Sequence, residues 1–181
     1  IPVLLCTAIC LIACMNDMAA PSVSLEGKTL WLAQSLPITP WQVLRAKLSV
    51  QLLLTGVPVL FCILCTAFIY PYTLPELLLT VLVPLSFTVL SALFDLFLGL
   101  KLVNLSWTSE ITPIKQSASA AVALLSGFAY AVLLCIGFMA LGGWKLGYVA
   151  YMACFAAISL ALSAVLYAWL RKKGSALFAS L

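Results

Sequence analysis

The stretch LLLTVLVPLSFTVLSALFDLFLGL, Leu77–Leu100, runs for 24 residues with a single charge, Asp95. About 20 apolar residues at ~1.5 Å rise each cross the ~30 Å hydrocarbon core of a bilayer. The stretch therefore predicts a transmembrane helix. Working outward, the rest of the chain agrees. Its 181 residues are 65% hydrophobic and 8% charged, against roughly 25% charged in an ordinary soluble domain. Too little polar side chain is present to cover a water-soluble globule, so lipid is the expected solvent.

Four further windows have the required length: Ile1–Ala20, Leu48–Tyr70, Ala118–Leu141 and Leu146–Leu170. The expected fold is all-α, a polytopic transmembrane helix bundle with about five spans forming one domain over 1–181. Short amphipathic helices are expected in the connecting segments 21–47 and 101–117. The first window lacks the basic start of a signal peptide, and Asp17 and Pro21 stand where small residues would mark cleavage. Ile1 is not Met and already lies in an apolar run, so we expect the C-terminal part of a longer chain.

Basic residues orient the spans. Lys28, Arg45 and Lys47 fall in the first connecting segment, Lys101 and Lys115 in the second, and Arg171, Lys172 and Lys173 in the tail. The turns at Pro71–Glu76 and Gly142–Lys145 hold only Lys145 between them. With alternating spans, the positive-inside rule places both longer segments and the C-terminus in the cytoplasm, with the Ile1 end outside. Tyr70, Tyr72, Trp144 and Tyr148 suit an aromatic belt at the outer interface. The net charge of +4 thus reports topology and implies no nucleic-acid partner.

The chain has seven cysteines and no histidine. Cys6, Cys10 and Cys14 recur on one helix face, while Cys62 and Cys65 lie within a span. Without histidine, and shielded from oxidants, these thiols read as small packing residues rather than metal ligands or disulfides. No Ser–His or Cys–His nucleophile is possible, so no catalytic residue is assigned.

The segment from Pro21 to Lys47 is the most structured of the connections. Ser24 is expected to cap a short amphipathic helix with Glu26 in its first turn. Leu25, Trp31, Leu32 and Leu36 supply its apolar side, and Pro37 ends it. Thr39-Pro40-Trp41-Gln42 then restarts a helix, with Thr39 at the cap, Pro40 first in the helix and Gln42 three residues after the cap. That helix should run without interruption into the Leu48–Tyr70 span. Thr112-Pro113 repeats the signal before the fourth span.

Gly27-Lys28-Thr29 matches the tail of a phosphate-binding loop, but Ser22 stands where the first glycine belongs. A span rather than a strand precedes it, and no acidic strand follows to hold magnesium, so ATP binding by this chain is not expected. A helix at the lipid headgroups, with Lys28 and Arg45 meeting anionic lipid, accounts for the charge pattern.

The pattern S-L-E-G-K-x-x-W-x-x-x-S-L-P-I-x-P, Ser24–Pro40, followed by a basic residue and an apolar span, resembles the permease subunits of bacterial type 2 ATP-binding-cassette exporters. Trp107-Thr108-Ser109-Glu110, with Lys115-Gln116-Ser117 beyond it, resembles a later cytoplasmic segment of the same family. The two motifs lie between Ser22 and Ser117. The resemblance implies a transport subunit in the bacterial plasma membrane that binds no cofactor itself; ATP and Mg would sit on a separate cytoplasmic ATPase. It further implies that Glu26, Gly27, Lys28, Trp31, Leu36 and Pro37 contact that ATPase, and that Trp107, Glu110 and Lys115 make a second contact. A homodimer or permease heterodimer is implied as well. The alternative is a secondary transporter or a structural membrane subunit without an ATPase.

Asp95 is the candidate intramembrane polar site. A charge at a span centre costs about 2.5–3.5 kcal/mol, and we expect Asp95 to sit near the cytoplasmic interface, with Lys101 or another helix as partner. Asp17 is expected at the interface too. An intramembrane aspartic protease would need the two at one depth and facing each other, and the sequence lacks that class's glycine-flanked aspartate. Pro58 and Pro84 could kink the second and third spans.

Overall fold

The computed structural model describes residues 2–27, 35, 37–104, 117–140 and 147–180. Among them every regular element is helical. The helices are α1 (Pro2–Ala13), α2 (Ala19–Glu26), α3 (Pro40–Ile69), α4 (Leu74–Lys101), α5 (Ala118–Gly137) and α6 (Tyr148–Trp169), then a π-helical turn at Leu170–Gly174 and the short α7 (Ser175–Ala179). Four helical stretches are long and apolar enough to cross a membrane: Pro40–Ile69, Leu74–Lys101, Ala118–Ala140 and Tyr148–Ala179.

The first window differs from expectation. In place of one continuous helix it forms the 12-residue α1, a break at 14–18, and the 8-residue α2. The break falls where Asn16 and Asp17 interrupt the apolar run. Irregular backbone in an apolar setting needs its polar groups satisfied from within the protein. Gln51 of α3, 2% exposed, does this. Its Oε1 accepts the Met18 N–H at 3.1 Å, and its Nε2 donates to the Asn16 carbonyl. The Asn16 side chain donates in turn to Thr55 Oγ1 at 2.9 Å.

The break moves the expected cap. Ser24 lies inside α2 and Glu26 ends that helix, so Ser24 is not an N-cap and Glu26 is not in a first turn. Pro21 is tolerated as the third residue of α2, where the missing N–H would have had no helical partner. Gly27 closes α2 at φ +46°, a backbone conformation that disfavours other residues. The second helix start is as expected: Thr39 N–H donates to Gln42 Oε1 at 2.8 Å in a capping box, and α3 continues unbroken through Pro58. A matching box at Thr73–Glu76 opens α4, with a bond of 3.0 Å, and α4 likewise continues through Pro84.

Helix α4 is the centre of the bundle, packing on α1, α2, α3, α5 and α6. Half of its apolar window is buried, against 17–28% for the other three candidate spans. At one end of the bundle, Val3, Leu79, Leu134 and Met152 form a core with Cys6. At the other, Val23, Leu44, Leu96, Leu100, Leu170 and Phe178 pack together. Between them lie Ile9, Cys10, Val59, Phe87 and Ala131. Successive long helices therefore alternate in direction, and α1 runs parallel to α4. The described basic residues Arg45, Lys47, Lys101 and Arg171–Lys173 all belong to the Leu44–Leu100–Leu170 end.

The surface is also what lipid contact requires. On α3, Leu53, Val57, Phe61, Leu64 and Phe68 are 57–90% exposed and recur at three- and four-residue spacing. Small residues set the closest internal approaches. A Cβ on Gly127 of α5 would lie 2.5 Å from Cys14 Cβ, and one on Gly99 would lie 2.5 Å from the Ala20 carbonyl oxygen. Cys6, Cys10 and Cys14 are core packing residues in α1 and at its end.

Candidate functional site

The break between α1 and α2 opens one side of a cavity of about 330 Å³. Cys14 and Asp17 line it from the break, Phe87, Ser91, Phe94 and Asp95 from α4, Ser126, Gly127 and Tyr130 from α5, and Leu162 and Val165 from α6. The wall is mostly apolar. Phe87 and Tyr130 stack against each other in that wall with centroids 4.6 Å apart. Its hydroxyls are already committed: Ser91 donates to the Thr88 carbonyl at 3.1 Å, Ser126 to the Ala123 carbonyl at 2.8 Å, and Tyr130 shares a 2.7 Å bond with Ser159.

Asp95 is 1% exposed, and its Oδ2 has no hydrogen-bond partner among the described residues. Lys101 does not reach it; the Lys101 ammonium sits 5.5 Å from the Trp169 ring centroid instead. The reason is helical geometry. Six residues advance the chain about 9 Å and carry Lys101 well over half a turn past the Asp95 face. Asp17 is half-buried, and its Oδ2 has no hydrogen-bond partner among the described residues. It precedes Met18, the N-cap of α2, where the helix dipole favours a carboxylate. The sequence offered no sign that these carboxylates, far apart in the chain, would share a cavity. The signal was present only in Gln51, a buried amide that no apolar span requires.

The second feature lies at the basic end. Glu26 and Lys47 form an ion pair at 2.8 Å, and the same ammonium donates to the Ser22 carbonyl at 2.9 Å. Ser24 Oγ accepts the Asn104 N–H at 3.1 Å. The last turn of α2 is thereby tied to α3 and to the chain leaving α4. Of the expected ATPase contacts, Glu26 and Gly27 sit at this joint, and Pro37 is exposed just before α3. Lys28, Trp31, Leu36, Trp107, Glu110 and Lys115 lie outside the described residues, as do Trp144 and Thr112-Pro113.

The class these observations define is an all-helical protein with four helices long and apolar enough to cross a membrane and a carboxylate-bearing cavity lined by three of them and by the α1–α2 break. No protein-family model, curated protein or solved structure matches the chain.

Proposed function

We propose that the chain is the membrane-spanning part of an ATP-driven exporter of the bacterial plasma membrane, a permease moved by a separate ATP-binding-cassette ATPase. The observation that carries this reading is the Glu26–Lys47 joint. The motif that resembles an exporter coupling segment continues directly from α2, and α2 is pinned to the start of the 30-residue α3. A push delivered to residues 28–36 therefore reaches two elements at once. Through Lys47 it moves α3; through α2 it reaches the break that lines the cavity. Displacing a broken helix against a fixed α4 changes which end of the cavity is open, which is the geometric content of alternating access. ATP and Mg stay on the partner, and this chain supplies no catalytic group.

Orientation follows the same reading. The basic end faces the cytoplasm with the C-terminus, and the Val3 end faces outward. The apolar face of α3 is available to lipid or to a second permease, in a homodimer or heterodimer.

The test uses the full-length protein expressed with its genomic neighbours and purified in nanodiscs. A nucleotide-binding subunit should copurify and be lost in Trp31→Ala while the permease stays folded. Absence of any ATPase in the wild-type preparation would sink the proposal. A second reading, a secondary transporter, is favoured by one observation, the presence of Asp17 and Asp95 on one cavity. It requires uptake or efflux driven by an ion gradient with no nucleotide present.

A further inference from the structure

We propose that the cavity between the α1–α2 break, α4, α5 and α6 is a binding site for a hydrophobic organic cation, an amine or quaternary ammonium attached to an aromatic or alkyl body. Two independent features point to this ligand class. The first is charge. Asp95, 1% exposed and with an unpartnered Oδ2, lines the cavity together with Asp17, whose Oδ2 is also unpartnered. Among the described residues, no Lys or Arg is part of the lining. Among the described basic residues, Lys47 is held by Glu26 and Lys101 by Trp169. A buried carboxylate without a partner is costly in an apolar medium, so a positive charge delivered by a ligand is stabilised there.

The second feature is the wall. Phe87, Phe94 and Tyr130 present aromatic surface to the same cavity. Aromatic faces attract cations and bury hydrocarbon equally well, a combination used to recognise quaternary ammonium groups. The hydroxyls on the wall are turned to backbone carbonyls or to Ser159, so few donors remain for an anionic or sugar-like ligand. The volume of about 330 Å³ suits a single small molecule, at the lower end of the ~300–1,000 Å³ of ligand pockets. Asp95 is the charge partner, and Asp17 places a second carboxyl group on the same cavity.

The step from binding to transport rests on the exporter proposal; the binding itself does not. The experiment therefore measures binding by the full-length protein in nanodiscs without nucleotide. Radiolabelled benzyltrimethylammonium is the probe, and neopentylbenzene, its uncharged isostere with carbon in place of nitrogen, is the competitor. We expect saturable binding of the ammonium, weak competition by neopentylbenzene, and a loss of about tenfold or more in Asp95→Asn, the effect of removing one opposite charge in a low-dielectric site. Asp95→Glu should retain most of the affinity. Equal binding of the charged and uncharged compounds would reduce the site to an apolar void and overturn the proposal. So would unchanged affinity in Asp95→Asn, or no binding at all, the outcome if the carboxylates hold only protons. The isostere comparison uses the wild-type protein, so a poorly folding variant does not leave the question open. If the cation binds and no ATPase copurifies, the site stands and the exporter assignment alone falls.

Discussion

Replacing Gln51 by methionine tests the account of the broken first helix. Methionine keeps the volume and flexibility of glutamine but has no amide. In the wild type that amide accepts the Met18 N–H at 3.1 Å and donates to the Asn16 carbonyl, with a weaker 3.4 Å contact to Thr55 Oγ1. Gln51 is 2% exposed, so water has little access to the groups it leaves behind. Each stranded buried donor or acceptor costs about 1–3 kcal/mol. Two backbone groups give roughly 2–6 kcal/mol, and partial re-pairing within the break would bring the result toward the lower figure. The variant, purified in detergent, should unfold at a lower temperature or denaturant concentration than wild type. Amide exchange supplies the local readout: Met18 should lose protection while the middle of α4 keeps it. A Gln51→Met protein as stable as wild type, with Met18 still protected, would refute the claim that this side chain satisfies the break.

Gly127→Ala places a methyl where Cys14 Cβ already sits, 2.5 Å away, and should destabilise by about 1–3 kcal/mol. Cys14→Gly in the same protein should recover much of that loss, and a thermal melt of the three variants decides it. Lys47→Ala removes an ion pair whose side chains are 15% and 23% exposed. The expected stability loss is about 1 kcal/mol or less. In the exporter proposal, nucleotide hydrolysis by the copurified partner then continues while transport falls, and a variant that keeps its transport rate would count against the joint. On a background lacking native cysteines, a cysteine at Thr73 should react with an impermeant thiol reagent in intact cells. One at Lys172 should react only after the cells are opened, and the reverse pattern would invert the proposed orientation.

The long helices were legible because each carries a local signal that burial does not override. Leu77–Leu100 is apolar for its full length, and Thr39-Pro40 with Gln42 specifies its own helix start through bonds within four residues. The Thr73–Glu76 box was equally local, yet Pro71 and Pro75 made that stretch read as turn alone. The break in the first window was not legible for a different reason. The window's mean composition is that of a span, but Asn16 and Asp17 tip the balance only because Gln51 and Thr55, on another helix, supply the hydrogen bonds that a broken backbone needs. Periodicity within one segment holds no information about that partner. The cavity inherits the same limit: Asp95 was visible as a charge in a span, but its burial depends on how α4 is rotated in the bundle, where Gly99 lets α4 approach the Ala20 carbonyl of α2 closely. Once the break is in place, Asp17 enters the cavity as a consequence. The three polar residues that a uniform span would have excluded, Asn16, Asp17 and Gln51, are thus parts of one device: the amides hold the chain open and the carboxylate occupies the opening.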